Sequence, residues 1–458
     1  MSGSHLLPAP SSATAVRYSR FGYGFGDRLL LLILLGLGWV VPAFWNKTFL
    51  WGMLIWDVAL LLVAILDASL LPRPEKISVE RSWVGVPAIG CASEIRLQFA
   101  NTSSQAIRLD IQDNLPTAFA ATTQDLKLIV PTGKQASVSY IATALERGDF
   151  EISGVYFHAR SILGFAERWY YAPLKQQVRI YPNLEAAKKS TIYLTRSRQI
   201  EQEKRRLRLR GMGREFESLR EYNEGDDFRD VSWSATARRG KPITRLYTVE
   251  RSQPVWIVLD TGRLLRERSS GLSKLDYAAD AAVALSQLAL YSGDRVGLLA
   301  YGRQVKHRVP LGRGLPHLRS IVEELAVIKS EAAEADHLRA AGMLLSMQKR
   351  RGLIVWLTDL AETSMTPEVI EGASQMLNRN VVLFVAIGEA DLARTAAARP
   401  ANEKQMYELV AAQEMLQRRE LLISRLRNRG ALALEVMPHQ LSTTLMNHYL
   451  TIKERSLL

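Results

Sequence analysis

The chain has 458 residues, which is enough for two or three domains. Its net charge of +13 favours an acidic protein, an anionic lipid or a nucleic acid as partner. A single cysteine, Cys91, excludes an intramolecular disulfide and any zinc site that needs several cysteines.

Two apolar runs follow residues 1–26, which we predict to be a flexible cytoplasmic tail. The runs lie within residues 27–71 and predict two transmembrane helices, the first at 29–45 and the second, longer one at 49–71. Basic residues flank the pair on both sides, namely Arg17, Arg20 and Arg28 before it and Arg73, Lys76 and Arg81 after it. Because such residues stay in the cytoplasm, we predict a hairpin with both ends inside. A signal peptide before an exported domain is the alternative, but no small-residue cleavage site separates the runs.

Residues 72–183 alternate apolar and polar side chains in short segments, with turn formers between them. Short alternating strands about ten residues apart are typical of an antiparallel β-sandwich. We therefore predict a β-sandwich-like domain, which serves either as a spacer or as a binding surface.

Residues 184–250 are dense in charge and form a predicted linker. The basic run at 196–210 precedes an acidic stretch at 214–230, and the two stretches pair with each other in the simplest interpretation. Binding of anionic lipid by the basic run is an alternative for a membrane-tethered chain. The run lacks the interleaved aromatic residues that stack on bases, so we expect no nucleic-acid partner and keep nucleic-acid binding as the weaker alternative.

Residues 251–458 alternate apolar strands with helical segments. This pattern predicts an α/β fold with a parallel sheet covered by helices on both faces. Such sheets bind ligands at the carboxyl ends of their strands, where we expect Asp260 and Asp359. The predicted helices cover 274–292, 316–328, 337–350, 367–378, 402–428 and 440–454.

The two aspartates raise the question of a magnesium site, because Mg²⁺ takes oxygen ligands in near-octahedral geometry. Gly262 and Leu264 follow the first aspartate and supply no side-chain oxygen. Thr261 and Thr358 have hydroxyls, but each is adjacent to its aspartate, and neighbouring residues of a strand point in opposite directions. We favour the absence of metal, with weak magnesium binding as the alternative; Arg263 could take the place of the cation, and the aspartates could instead cap the following helices.

A second block, residues 213–250, combines charged and aromatic residues with a turn at 223–227. Val231 and Trp233 are predicted to anchor the block to the domain. No Ser–His–Asp or Cys–His set and no phosphate-binding loop is present in the sequence, so we predict no catalytic residues and no enzymatic activity.

This block resembles the signature of the bacterial domain-of-unknown-function family 58. The matching residues are Gly213, Glu215, Phe216, Leu219, Arg220, Tyr222, Gly225, Asp226, Asp227, Arg229, Trp233, Ala235, Ala237 and Arg238. The resemblance extends to the apolar runs, the β-rich middle and the α/β domain, which in this family looks like a von Willebrand factor A domain. It implies a bacterial inner-membrane protein, with its bulk in the cytoplasm, that works as an adaptor with a MoxR-type AAA ATPase.

The resemblance also implies where a metal would bind. Von Willebrand A domains use an Asp-x-Ser-x-Ser motif, a threonine from a second loop and an aspartate from a third. Asp260 and Asp359 match the aspartates, whereas Gly262 and Leu264 replace the serines, and the second loop at 331–338 has no threonine. We therefore expect a degenerate metal site whose loops serve partner binding. A magnesium-dependent adhesion or enzymatic module is the alternative function.

Overall fold

The structure is a computed structural model, and it describes residues 11–13, 16–121, 126–161, 163–183, 195, 196, 199, 215–224, 226–248, 252–360 and 366–455. The fold mixes helices with several β-sheets. It divides into two compact units, residues 1–181 and 182–458.

The first unit contains two five-stranded antiparallel sheets. One has the order β1-β3-β4-β8-β6 and the other β2-β11-β10-β5-β7. Their strands are β1 Ser11–Ala13, β2 Arg17–Phe25, β3 Ile77–Val84, β4 Ala92–Asn101, β5 Ile107–Asp113, β6 Phe119–Ala121, β7 Leu126–Val130, β8 Gln135–Ala144, β10 Val155–Arg160 and β11 Ala166–Ala172. A separate pair joins β9 Gly148–Ile152 to β12 Gln176–Ile180.

The two sheets face each other across an apolar core. Phe99 of β4 and Phe157 of β10 meet edge to face, with ring centroids 5.3 Å apart. Arg81 of β3 is fully buried and pairs with Asp113 of β5, which also accepts a hydrogen bond of 2.6 Å from the Tyr140 hydroxyl. Apolar and polar residues alternate along these strands because one face of each strand enters this core.

Residues 17–25 correct one prediction. They were assigned to a flexible tail, but they form β2, which pairs with β11 from Arg17 opposite Tyr171 to Phe25 opposite Ala166. The polar and glycine-rich sequence concealed this strand, because its backbone pairing partner lies about 150 residues further along the chain. Tail residues 1–10, 14 and 15 lie outside the described residues.

The apolar region forms helix α1 Asp27–Gly36, a 3₁₀ turn at Leu37–Trp39, the short helix α2 Val40–Ala43 and the long helix α3 Thr48–Ser69. Of the described helices, α3 alone is long and apolar enough to cross a membrane. Its 22 residues extend about 33 Å at 1.5 Å per residue. The first predicted span is divided into shorter pieces where Gly36, Gly38 and Pro42 occur, so a second span stays a prediction. A 3₁₀ turn, Pro74–Lys76, leads into β3.

The second unit is built on a six-stranded sheet with the order β19-β18-β15-β20-β21-β22. Its strands are β15 Pro254–Asp260, β18 Arg295–Tyr301, β19 Val305–Gly312, β20 Leu353–Thr358, β21 Val381–Ile387 and β22 Leu432–Val436. All neighbours run parallel except β19, which pairs antiparallel with β18 at the edge. The short strands β16 Arg268–Ser269 and β17 Leu272–Ser273 form a small hairpin.

Helices pack on this sheet because its strands are apolar on both faces. The helices are α5 Lys274–Tyr291, α6 Gly314–Val327, α7 His337–Met347, α8 Thr366–Leu377, α9 Ala390–Ala397, α10 Glu403–Asn428 and α11 Leu441–Glu454. Residues of α7, α8 and α10 share a core with Trp256 and Trp356. Side chains on a strand alternate between the two faces of the sheet. Helix α5 packs on β15 and β18, on the face opposite to Trp256.

A small module precedes the sheet. Strand β13 Glu215–Glu221 pairs with β14 Ile243–Thr248, and the helix α4 Trp233–Arg239 lies between them in the chain. A 3₁₀ turn at Phe228–Asp230 precedes α4, and Gly240, in the left-handed conformation (φ +65°), ends it. We call residues 215–248 the signature module; Gly213 and Gly225 of the signature lie outside the described residues.

Candidate functional site

Asp260 and Asp359 end up where the sequence predicts, after the parallel neighbours β15 and β20. Both carboxylates are almost completely buried, with 3% and 4% of each residue exposed. The Thr358 hydroxyl connects the two strand ends by donating a hydrogen bond of 2.6 Å to Asp260 Oδ2. The carboxyl ends of these strands therefore form one polar cluster inside the fold.

Both carboxylate oxygens of Asp260 accept hydrogen bonds from residues at the strand ends. The Gly262 amide donates to Oδ1 at 2.7 Å, and the Thr358 hydroxyl holds Oδ2. Burial raises the pKa of the Asp260 carboxyl, although the nearby His337 and these two hydrogen bonds oppose that effect. Thr261 is buried, and its amide donates to the Tyr301 carbonyl at 2.8 Å. The aspartate thus orders its own loop.

Asp359 is held by two side-chain cations. Lys274 Nζ lies 2.8 Å from Oδ2, and Arg419 Nη2 lies 2.8 Å from Oδ1. Lys274 comes from the first position of α5, and Arg419 comes from the buried face of α10. The carboxylate therefore joins two helices to the end of β20.

Three glutamates surround these cations. Lys274 also pairs with Glu267 and lies 3.6 Å from Glu389, while Arg419 Nη1 lies 2.8 Å from Glu435 Oε1. We call the set Asp359, Lys274, Arg419, Glu267, Glu389 and Glu435 the strand-edge network. Because each cation has at least two acidic neighbours, the charge buried on folding is compensated within the network.

The pKa values of Glu267 and Glu389 are shifted in opposite directions. The pKa of Glu389 is raised to about 7: burial is the largest cause, the hydrogen bond to Glu267 adds to it, and the charge of Lys274 opposes it. Burial also acts to raise the pKa of Glu267, but the hydrogen bond from Glu389 and the charge of Lys274 lower it overall. Burial acts to lower the pKa of Lys274, and Asp359 and Glu267 outweigh it, so the ammonium stays charged.

Arg263, which the sequence offered as a possible replacement for the cation, does not contact either aspartate. Its guanidinium is exposed and pairs with Glu334, with Nη2 2.9 Å from Oε1. Lys274 and Arg419 take the position beside Asp359 instead, because their long side chains reach the strand edge from packed helices. The sequence does contain a signal that Arg419 is buried, because Arg419 falls in the apolar stripe of α10 together with Ala412, Ile423 and Leu426. Lys274 had none.

The same contacts test the fit to magnesium. Both oxygens of each aspartate already have hydrogen-bonding partners, and Leu264 is half-buried with no oxygen to offer. A Cβ added at Gly262 would lie 3.0 Å from Asp260 Oδ1 and 3.1 Å from the Ala335 side chain, so serine would not fit without movement. Among residues that the structure describes, no group of three or more metal-binding side chains is arranged for a metal ion. The residues present therefore do not fit a magnesium ion.

The second loop predicted for this edge lies beside the first one. The Glu331 amide donates to the Thr261 carbonyl at 2.6 Å, and the Arg263 amide donates to the Ala333 carbonyl at 3.0 Å. The loop leads into His337, whose Nδ1 lies 2.8 Å from the Tyr301 hydroxyl. The Trp356 indole N–H donates to the same hydroxyl, and burial lowers the pKa of the His337 imidazole.

The signature module holds its charged residues in a compact turn. Arg220 Nη2 lies 2.6 Å from Asp226 Oδ1, and the Asn223 amide donates to the other oxygen of Asp226 at 3.0 Å. Asp227 caps the 3₁₀ turn by accepting from the Arg229 amide at 3.0 Å. Tyr222 is half-buried, and its ring centroid lies 5.4 Å from that of Phe228. These contacts are internal, so they order the turn.

The module also exposes large side chains. Phe228 and Trp233 are 69% and 67% exposed, and Arg229, Arg238 and Arg239 are exposed as well. Trp233 was predicted to anchor the module, but it points to solvent because it begins α4, whereas the neighbouring Val231 is buried. We call Phe228, Trp233, Arg238 and Arg239 the aromatic–basic surface.

The basic run at 196–210 falls mostly outside the described residues. Arg196 is described, and its guanidinium lies 2.8 Å from Glu454 Oε1 at the end of α11. This pair is exposed, so it contributes little to stability.

Comparison with known proteins finds sequence similarity to uncharacterized bacterial proteins. Residues 218–390 match the family described as "Protein of unknown function DUF58", a segment that includes both aspartates and most of the signature module. Uncharacterized protein Mb1516 of Mycobacterium bovis is 30% identical over 151 residues, which cover 32% of this chain and 48% of that protein. Uncharacterized protein YeaD of Bacillus subtilis is 22% identical over 236 residues, which cover 49% of this chain and 55% of that protein.

One solved structure has a low overall similarity. The conserved hypothetical protein BatB from Bacteroides thetaiotaomicron aligns with a TM-score of 0.28 and 13% identity, over 44% of this chain and 99% of that one. The chain spans about half the length of the curated relatives it matches.

Proposed function

We propose that this protein is a membrane-anchored scaffold that binds protein partners through its second unit and works with a MoxR-type AAA ATPase. The aromatic–basic surface is the observation that carries the proposal. Trp and Arg are the side chains most enriched among residues that dominate binding energy at protein interfaces. Exposing Phe228 and Trp233 to water has no benefit for folding, which favours a role in recognition.

The module around this surface is ordered before any partner arrives. The Ser232 amide donates to the Ile243 carbonyl at 2.7 Å, and the Ile243 amide donates to the Thr236 hydroxyl at 3.0 Å. These bonds fix α4 on β14, so binding needs little further ordering of the backbone, and less of the binding energy is lost. The two arginines complement an acidic partner surface.

The α/β sheet supports the proposal that the second unit is von Willebrand A-like. Two aspartates follow neighbouring parallel strands, and two loops meet beside the first of them. In such sheets the strand ends form the binding edge. Since the residues there do not fit a metal ion, we propose that partner contacts at this edge are independent of magnesium.

Membrane anchoring rests on α3, and the first unit supports a two-span hairpin in the inner membrane. The Gly26 amide before α1 donates to the Phe165 carbonyl at 2.9 Å. Asp67, in the last turn of α3, accepts from the Phe165 amide at 3.1 Å. The start of α1 and the end of α3 therefore meet at one loop, as a hairpin with both ends in the cytoplasm requires.

The test uses the full-length chain in detergent and the purified MoxR-type ATPase of the same organism. We expect co-purification of the wild type, and at least a tenfold weaker affinity for Trp233→Ala and Phe228→Ala, from losses of about 2 kcal/mol. Tyr407→Ala is the matched control, because Tyr407 is 69% exposed on α10. The measurement is repeated with ATP, with ADP and with chelator.

Two results would overturn the proposal. If the wild type binds no ATPase in any nucleotide state, the partner is wrong. If Tyr407→Ala weakens binding as much as Trp233→Ala does, the aromatic–basic surface is not the binding face. Binding that disappears with chelator in the absence of nucleotide would instead favour a metal-dependent contact.

A further inference from the structure

Asp67 is buried although it lies near the end of the most apolar helix of the chain. Only 1% of the residue is exposed. Its carboxylate accepts hydrogen bonds from the Ser161 hydroxyl, from the Leu163 amide at 3.3 Å and from the Phe165 amide at 3.1 Å. All three donors belong to the loop between β10 and β11, which we call the clamp loop (described residues 161 and 163–165). The end of α3 is thus fastened to the sheet.

The residues after α3 are fastened to the same edge. The Tyr170 hydroxyl donates to the Pro72 carbonyl at 2.6 Å, and Arg168 Nη1 donates to the same carbonyl at 3.3 Å. Both contacts are buried, so they hold Pro72 at the sheet away from competing water. The connection between helix and sheet is therefore a rigid joint, in contrast to a free hinge.

The start of α1 joins the clamp loop from the other side. Arg28 Nη1 donates to the Leu163 carbonyl at 3.3 Å, beside the Gly26–Phe165 bond. A Cβ on Gly26 would lie 2.0 Å from the Gly164 carbonyl oxygen, so only glycine permits this approach. Strand β2 runs directly into α1, which brings its last residues to the same edge.

This edge exposes large apolar side chains next to the apolar helices. Tyr23 and Phe25 at the end of β2 are 62% and 74% exposed, and Leu163 of the clamp loop is 46% exposed. Arg73 and Lys76, which follow α3, are exposed too. Aromatic side chains with basic neighbours are typical of the boundary between lipid and water, where the rings lie at headgroup level and the cations meet anionic lipids.

We propose that the first unit docks directly on the membrane surface, with Tyr23, Phe25 and Leu163 inserted at headgroup depth. The inference rests on the proposed membrane anchoring of α3. Because α1 and α3 are both fastened to the clamp loop, insertion of the helices brings this edge to the bilayer. The opposite end of the sheet points away: Tyr156 of β10 lies about 17 Å from the clamp loop, at 3.3 Å per residue.

The test places one fluorescent label at a time on the full-length chain in a Cys91→Ser background. The labelled variants are Phe25→Cys, Leu163→Cys, Tyr156→Cys and Leu62→Cys, and each native side chain is at least partly exposed. The protein is reconstituted in vesicles of phosphatidylethanolamine and phosphatidylglycerol that carry a nitroxide quencher either near the headgroup or deep in the acyl chain.

We expect the labels at 25 and 163 to be quenched several-fold more by the shallow quencher than the label at 156. The label at 62, in the middle of α3, reports insertion through the deep quencher. If the label at 62 is quenched while the labels at 25 and 163 are quenched no more than the label at 156, the docking inference is wrong and the membrane anchoring stands. If 62 is not quenched, both fail.

Asp67→Ala tests the joint in a separate arm. Loss of the carboxylate releases the clamp loop, so shallow quenching at 163 should fall several-fold while deep quenching at 62 is unchanged. Asp27→Ala is the matched control, because Asp27 is an acid at the start of α1, near the same loop, but is exposed. Equal quenching at 163 in both variants would overturn the role of Asp67.

Discussion

The strand-edge network and the signature module both concentrate charged residues in the second unit, but they orient these residues differently. In the network, Lys274 and Arg419 are buried and both contact the buried Asp359. In the module, Arg238 and Arg239 are exposed beside Trp233. The strand edge, which looks like a binding site in the sequence, therefore uses its polar groups for cohesion. The module keeps its aromatic and basic groups exposed to solvent, which makes it the surface that we propose for recognition.

The largest effect is expected when the network loses its ammonium. Lys274→Met leaves Asp359 and Glu267 without a shared cation, and breaking a buried ion pair costs about 3–5 kcal/mol. The midpoint of thermal unfolding, followed on the full-length chain in detergent, should fall by roughly 10 °C. Arg263→Met is the control, because its pair with Glu334 is exposed, and it should change stability by less than about 0.5 kcal/mol.

Similar losses in these two variants would contradict the distinction between buried network and exposed pair. Magnesium chloride or chelator should leave the wild-type midpoint unchanged, since the aspartate oxygens already have partners. A clear rise with magnesium would show that the carboxylates accept a metal ion after all.

Within the signature module, Val231 should matter for folding and Trp233, two residues later, for recognition. Val231→Ala removes a buried side chain and should destabilise the module by about 1–3 kcal/mol. Trp233→Ala, at an exposed position, should change its stability by less than about 0.5 kcal/mol. Hydrogen exchange of the Ser232 and Ile243 amides measures both. Faster exchange in Trp233→Ala than in Val231→Ala would mean that Trp233 is an anchor.

Thr358→Val tests the connection between the two aspartates. The substitution leaves Asp260 Oδ2 without its hydroxyl donor, which should cost about 1–3 kcal/mol, because a buried acceptor loses its partner. Denaturant unfolding measures the change. Thr443→Val, which removes an exposed hydroxyl on α11, should have almost no effect. If the two variants match, the Asp260–Thr358 bond contributes nothing to the cluster.

The smallest effect concerns pH. Because the pKa of Glu389 is raised to about 7 in the fold, its protonated form stabilises the protein below about pH 4.5, and this contribution is lost as pH rises through 7. Glu267 stays ionised in this window since its pKa is lowered. Glu389→Gln keeps the neutral form, so the excess of its midpoint over that of the wild type should grow from about pH 4.5 to about pH 7 and then level off, at less than about 3 °C. A constant difference from pH 5 to pH 8 would contradict the raised pKa of Glu389.

Much of the α/β unit could be predicted because its signals are local. The segment predicted as helix at 274–292 is observed at Lys274–Tyr291, and the apolar run at 254–260 forms β15 with the same bounds. The edge strand β19 was missed, because it is polar on one side, and the eight-residue helix α9 was missed because its pattern is short.

The sequence by itself determined that a long apolar helix precedes β strands and an α/β sheet, and that two aspartates end adjacent strands. Those features follow from residue spacing, since strand and helix periodicities are properties of neighbouring residues. Only the tertiary structure decided which cations neutralise Asp359, that Trp233 faces solvent and that Asp67 is held by the clamp loop. These facts depend on side chains that meet across 60 to 98 residues of chain, which no local pattern records.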